Sequence, residues 1–190
     1  MRHCYELADF PKERMAPGFS YEILPREHRI RRDHLTPDVL SDAVLAWFAK
    51  YELEPTMIAF FRRYAPHHSG IHVDYSESNQ CYAGINFELE GHGSQAYYEP
   101  VRGEPEYLAV PNNGRKAVNY NTVAYKPSDV RLVEHTLFQP GSAYLVQVNV
   151  PHRAFVTSDY RVAVSIRFSH KGAHEAWEDT VKRLLPHVQK

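Results

Sequence analysis

Between Thr56 and Phe168 the chain is a series of short runs rich in β-branched and aromatic residues, each closed by turn-forming residues. The runs are Met57–Tyr64, Cys81–Leu89, Val118–Tyr125, Arg131–Leu137, Ala143–Val148, Arg153–Val156 and Tyr160–Phe168. Pro127-Ser128-Asp129, Pro140-Gly141 and Thr157-Ser158-Asp159 separate the later ones. Proline presets a turn dihedral, glycine supplies the left-handed one, and Ser and Asp side chains bond the backbone locally. Many short strands at this spacing predict an all-β sandwich or barrel.

Helices are confined to the flanks. Pro37 to Tyr51 reads as a helix, with Thr36 as N-cap and Pro37 at the first helical position. Its apolar stripe is Val39, Leu40, Val44, Leu45, Trp47 and Phe48, and Trp47 is read as core packing against a sheet. His174 to His187 reads as a closing helix with Trp177, Val181, Leu184 and Leu185 on one face. With no internal repeat or Gly/Ser linker, the 190 residues and 22.0 kDa form a single domain, 1–190. Residues 1–55 are its irregular and helical part, with a short strand expected at Tyr21–Leu24. Residues 56–168 are the β core and 171–190 the C-terminal helix. Residues 91–119 stand out as a polar insert carrying Tyr97, Tyr98, Tyr107, Asn112, Asn113 and Arg115. A long polar insert in a β domain is a binding loop, a lid or a solvated loop.

The formal net charge of -1 gives no field that would draw duplex nucleic acid or a membrane surface. Cys4 and Cys81 build neither a disulfide framework nor a paired Cys zinc motif, and a reducing compartment is expected. No apolar run reaches the roughly 18 residues of a membrane span. The opening residues hold no signal-type apolar core, so a cytoplasmic location is expected. With 12 histidines in the chain, a lone His says little, and spacing must carry the chemistry.

His72-Val73-Asp74 has that spacing. Two residues apart on an extended segment, an imidazole and a carboxylate share one face. Far downstream, Val150-Pro151-His152 opens another strand and offers a second imidazole. Two His and one carboxylate occupy one face of an octahedral ion and leave the remaining positions open. Nine residues past His152 stands Arg161, whose guanidinium matches a carboxylate in two-point geometry. A two-residue hairpin turn or a bulge would set Arg161 opposite Ala154 on the His152 side; a simple three-residue turn would point it away.

Three segments together resemble the Fe(II)/2-oxoglutarate-dependent dioxygenase superfamily, closest in layout to its prolyl-hydroxylase-like branch. They are Phe61-Arg62-Arg63-Tyr64 leading through Pro66 and Gly70 to His72-Val73-Asp74; Pro140-Gly141 leading to Val150-Pro151-His152; and Arg161 to Phe168. The resemblance covers roughly Thr56 to Phe168. It implies a mainly β fold, a double-stranded β-helix of jelly-roll or cupin-like type. It further implies Fe(II) held by His72, Asp74 and His152, with 2-oxoglutarate as cosubstrate and O2 as oxidant. Arg161 would meet the distal carboxylate, with Ser165 adding a hydroxyl contact. Arg167 also faces the Arg161 side, as an anchor for an anionic substrate or as the cosubstrate arginine itself. Asn86 is a further substrate-facing candidate, or a satisfied strand polar group. Tyr64, Tyr82 and Tyr144 are candidates for a tyrosine beside the arginine.

The implied activity is oxidation, by default hydroxylation, of a small polar substrate such as an amino acid, a biosynthetic intermediate or a peptide side chain. Arg102, Arg115, Arg153 and Arg167 are available to meet its carboxylate or phosphate. Two alternatives stand beside this reading: a cupin-like metal enzyme that does not use 2-oxoglutarate, and a non-catalytic ligand-binding β-barrel. His67 and His68 are placed at the mouth of the site or in a plain loop. His92, His135, His170, His174 and His187 are read as structural or surface residues.

Overall fold

The fold is that of a computed structural model, which describes residues 2–26, 30–74, 82–109 and 121–185. Among these residues twelve strands form two six-stranded antiparallel sheets. In chain order they are β1 (Cys4–Glu6), β2 (Ile30–Leu35), β3 (Leu53–Tyr64), β4 (Ile71–Asp74), β5 (Ala83–Glu90), β6 (Gly93–Pro100), β7 (Glu106–Ala109), β8 (Asn121–Tyr125), β9 (Val130–Leu137), β10 (Ala143–Gln147), β11 (His152–Val156) and β12 (Tyr160–His170). Helix α1 (Asp42–Lys50) precedes β3, and α2 (Trp177–Leu184) follows β12.

The pairing is nested. Strand β3 pairs with β12, β4 with β11, β5 with β10 and β6 with β9. A long antiparallel ribbon wound up in this way is a jelly roll, the double-stranded β-helix. One sheet has the order β1-β10-β5-β12-β3-β2, the other β7-β8-β4-β11-β6-β9.

Strand alternation then decides what each face of the first sheet meets. Ile58, Phe60, Ile85, Phe87, Leu145, Val162, Val164 and Ile166 point outward. There they join Val44, Trp47 and Phe48 of α1, Trp177 and Leu184 of α2, and Leu7 and Phe10 from the N-terminal segment. Each such side chain stabilises the fold by about 1.5–3 kcal/mol on burial. The opposite face looks into the barrel, toward the second sheet.

Several element boundaries differ from the sequence expectation. Pro37–Val39 is a separate 3-10 turn, and Leu40 after it is extended. The helix starts at Asp42, capped by the Ser41 hydroxyl, which accepts from the Val44 N–H at 3.2 Å. Helix α2 covers Trp177–Leu184, a shorter span than the expected His174–His187, and His187 lies outside the described residues. Tyr21–Leu24 is not a strand; its backbone instead accepts the Tyr64 hydroxyl through the Leu24 carbonyl. The N-terminal part contributes the two sheet-edge strands β1 and β2.

The largest correction concerns the insert at 91–119. Its first part is β6, a core strand flanked by β11 and β9, and β7 follows in the same sheet. Gly93 to Tyr97 are all buried. The buried set is Ser94, Gln95, Ala96 and Tyr97, so no aliphatic alternation marks the strand in the sequence. Asn112, Asn113 and Arg115 lie outside the described residues.

A candidate metal centre in the barrel

Strands β4 and β11 are neighbours, and their antiparallel register sets His72 directly opposite His152. The two imidazoles lie 4.5 Å apart, centroid to centroid. Asp74, two residues on along β4, projects from the same face as His72. Ligand atoms of all three side chains lie within 4.8 Å of one another, as the sequence spacing anticipates.

The hydrogen bonds around the imidazoles fix their chemistry. His72 Nδ1 donates to the Gly70 carbonyl at 2.8 Å, and His152 Nδ1 donates to the Val150 carbonyl at 2.9 Å. With Nδ1 carrying a proton, Nε2 is the atom each ring can offer a metal, and on His72 it faces Asp74 Oδ1 at 3.4 Å. Such outer bonds hold imidazoles in metal-ligating orientation. Burial first, then the neighbouring His72, pushes the His152 pKa down to about 4, so the ring is neutral at pH 7. Burial opposes protonation of His72, but its hydrogen bond and attraction to Asp74 outweigh this and raise its pKa. Burial likewise opposes ionisation of Asp74, yet Arg167 and the two histidines hold its carboxyl well below the usual carboxylate range. The donor set is two imidazole nitrogens and one carboxylate oxygen, with no Cys among them. That set fits a divalent transition metal held on one face, leaving positions for other ligands.

Behind the triad runs a polar chain. Arg167 Nη2 donates to Asp74 Oδ2 at 2.5 Å, and Arg167 Nη1 donates to Ser165 Oγ at 2.6 Å. Ser165 donates to Asn86 Oδ1 at 2.5 Å, and Asn86 Nδ2 donates to Gln95 Oε1 at 3.3 Å. Gly84 makes room for this chain: a Cβ there would stand 2.1 Å from Arg167 Nη1. Arg167, Ser165 and Asn86 thus come together next to the triad.

Arg161 sits further along the same inward face of β12. It forms a bidentate pair with Glu88, Nε to Oε2 at 2.8 Å and Nη2 to Oε1 at 2.7 Å, and both side chains are buried. Gly93 on the opposing sheet leaves space for it, since a Cβ there would stand 2.3 Å from Arg161 Nε. The inward direction of Arg161 does not come from a hairpin. Strands β11 and β12 lie in different sheets, so Ala154 and Arg161 are not partners. The pairing of β12 with β3 and β5 fixes the parity instead, with Val162 and Val164 in the outer core.

The remaining candidates separate by position. Tyr64 lies on the outer face, bonded to Leu24, and Tyr144 stacks on Phe138 in a second apolar cluster with Cys4 and Tyr97. Arg153 bonds His68 and the Ser69 carbonyl, and exposed Arg102 pairs with Asp129. His135 bonds Ser94, His170 approaches Glu52, and His174 bonds the Phe168 carbonyl. Sequence reasoning missed Gln95, Glu88 and Arg63, all of which belong to the barrel interior. Glu88 and Arg63 are charged residues at the inward parity of strands whose other face is apolar, which is a readable signal. Gln95 carried none while its strand was read as a loop.

No family model and no curated protein matches the sequence. Solved structures similar to the chain include ycfD of E. coli, with TM-score 0.43 and 12% identity over 66% of this chain and 29% of that one. Vicilin from hazelnut, Corylus avellana, has TM-score 0.40 and 10% identity over 76% of this chain and 31% of that one. An oxidoreductase of the 2OG-Fe(II) oxygenase family from Burkholderia pseudomallei has TM-score 0.40 and 12% identity over 70% of this chain and 54% of that one. The chain therefore spans less than two thirds of the length of each of these proteins. Among the described residues no helix is long and apolar enough to cross a membrane.

Proposed function

We propose that the protein is an Fe(II)- and 2-oxoglutarate-dependent oxygenase that hydroxylates a small polar substrate such as an amino acid, a biosynthetic intermediate or a peptide side chain. The observation that carries the reading is the triad of His72, Asp74 and His152, with both Nδ1 atoms committed to backbone carbonyls, so that Nε2 is the atom each ring can offer a metal beside the Asp74 carboxylate. Iron(II), when bound, supplies oxygen activation coupled to oxidative decarboxylation of the 2-oxo acid.

The chain's own contribution is positional. Arg167 engages Asp74 Oδ2 and leaves Oδ1 on the His72 side, 3.4 Å from Nε2. Ser165 and Asn86 extend this support across the sheet. In this reading Arg161 and Ser165 face the cosubstrate, and Arg167 and Asn86 line the substrate side. The barrel walls bury His152, while His72 and Asp74 are half-buried and keep an open side toward which a ligand can approach.

One observation favours a second reading, a cupin-like metal enzyme that does not use 2-oxoglutarate. Glu88 already engages the guanidinium fork of Arg161. Anaerobic titration of metal-free protein with Fe(II) and 2-oxoglutarate separates the two. The oxygenase reading expects the weak visible charge-transfer band of a 2-oxo acid chelate, present in wild type and lost in His152→Ala. Metal binding without the band would favour the second reading, and absence of metal binding would sink both.

A further inference from the structure

We propose that Arg63 is the anion anchor of the barrel interior: its guanidinium, lying beside the Arg161–Glu88 pair, takes the carboxylate of a small ligand. Alternation along β3 gives its direction. Ile58 and Phe60 point into the outer core, and Arg62 follows them outward to the Glu22 carbonyl and Asp33. Arg63 therefore points inward.

The register then creates an imbalance of charge. Arg63 stands directly opposite Arg161 on the neighbouring strand. Like charges at directly opposed strand positions repel, and more so away from water. Glu88 supplies one negative charge for these two guanidiniums, and both of its oxygens face Arg161. Arg63 forms no ion pair or hydrogen bond among the described residues, and its Nε is enclosed without a partner. Its contact is with the ring of Phe61, 4.6 Å from the guanidinium carbon. The ring contact leaves the guanidinium N–H groups without an acceptor among the described residues, and a carboxylate is the acceptor that matches a guanidinium in two-point fashion.

Unpaired buried donors are costly, and native interiors rarely keep them without a reason. Burial, with Arg161 and Arg32 adding repulsion, pushes the Arg63 pKa down to about 9, which leaves it a cation at neutral pH. The positive charge of Arg63 disfavours protonation of both His67 and His72, which places it on the same side of the sheet as the metal centre. The identity of the ligand rests on the oxygenase reading; the existence of the anion site does not. The carboxylate belongs either to the cosubstrate or to the substrate.

Two binding measurements on the full chain test this. In the first, thermal unfolding of metal-free protein is followed with and without succinate, a dicarboxylate with no 2-oxo chelating group. Wild type is expected to gain several degrees, Arg63→Met none, and Arg63→Lys part of the gain. No shift in wild type, or an equal shift in Arg63→Met, overturns the proposal. Without ligand, Arg63→Met should unfold no earlier than wild type, since it removes a half-buried charge with an enclosed, unpartnered Nε; earlier unfolding would mark Arg63 as structural and also overturn it. In the second, calorimetry gives the affinities of Mn(II)-loaded protein for 2-oxoglutarate and for pyruvate, which shares the chelating head but lacks the distal carboxylate. A tenfold or greater loss for 2-oxoglutarate alone in Arg63→Met assigns the anchor to the cosubstrate. Unchanged 2-oxoglutarate affinity, with the succinate response lost, assigns it to the substrate. If wild type binds neither 2-oxo acid, the oxygenase reading fails, and the succinate measurement alone decides the anion site.

Discussion

The two faces of β12 are buried to the same degree and built from opposite chemistry. Outward, Val162, Val164, Ile166 and Phe168 are 0–5% exposed and pack with α1 and α2. Inward, Arg161, Ala163, Ser165 and Arg167 are 2–8% exposed and face the barrel. Burial alone therefore does not separate scaffold from site on this strand. On the outer face, removal from water is the source of stability. On the inner face the same removal is a penalty that ion pairs must offset, and buried pairs seldom do more than break even. Stability is concentrated on one side of the sheet, and the other side is free to carry charge for chemistry.

The largest expected effect breaks the inner face without touching the outer. His152→Ala, or His72→Ala, should abolish stoichiometric Fe(II) binding and any iron-dependent turnover while circular dichroism stays that of wild type. Loss of the fold together with the metal would show that the triad belongs to the scaffold.

Next comes the Arg161–Glu88 pair. Glu88→Leu leaves a buried guanidinium unpaired and should destabilise by about 3–5 kcal/mol. Adding Arg161→Met to Glu88→Leu should recover most of that loss, because a well-packed apolar pair is often as stable as a buried ion pair. Urea unfolding of the two variants measures both numbers. A double variant as unstable as the single one would mean that the pair holds the barrel together. By contrast, Ile166→Val on the outer face should cost about 0.5–1.5 kcal/mol and leave metal affinity unchanged.

Gly84→Ala is a finer probe, since it acts on the inner face through the position of one side chain. The new methyl would displace the end of Arg167, which is flexible, and so free Asp74 Oδ2 and Ser165 from it. Metal affinity is expected to fall by roughly 10–100-fold, the usual cost of losing an outer-shell partner, with a small change in stability. Unchanged metal affinity would show that Arg167 does not position Asp74.

How much of this was legible in the sequence follows from the same two faces. The outer face was readable because its alternation is apolar against polar, and the strands from Arg131 to Phe168 fall close to where that pattern puts them. The triad was readable because His72 and Asp74 share a strand and His152 opens another. Strand β6 was not, since both of its faces are buried and its inward residues are polar, which leaves no period to detect. The partners of Arg161 were not either. A hairpin across Thr157–Asp159 was the local expectation, whereas the long-range pairing of β12 with β3 and β5 brings Arg63 and Glu88 to it. Side-chain parity is local and can be read, but the identity of the neighbouring strand is not.

The smallest expected effect sharpens the comparison most directly, because it reads the charge of the inner face. Burial first, then Arg63, His68 and Arg161, push the His67 pKa down to about 4, from an ordinary value near 6.5. Above pH 6.5 the ring is neutral in folded and unfolded chains alike, and it adds no pH dependence. Between pH 6.5 and 4 the unfolded chain takes up a proton that the folded one refuses, so this contribution to stability is lost as pH falls through that window. Below pH 4 both forms are protonated and the dependence ends. An NMR titration of the His67 ring should place its pKa near 4 in wild type and closer to 6.5 in Arg63→Met. Ile166→Val, on the far side of the sheet, should leave it unmoved. A value that stays the same in Arg63→Met would mean that burial, not positive charge, sets the His67 pKa, and the contrast between the two faces would then reduce to one of polarity without net charge.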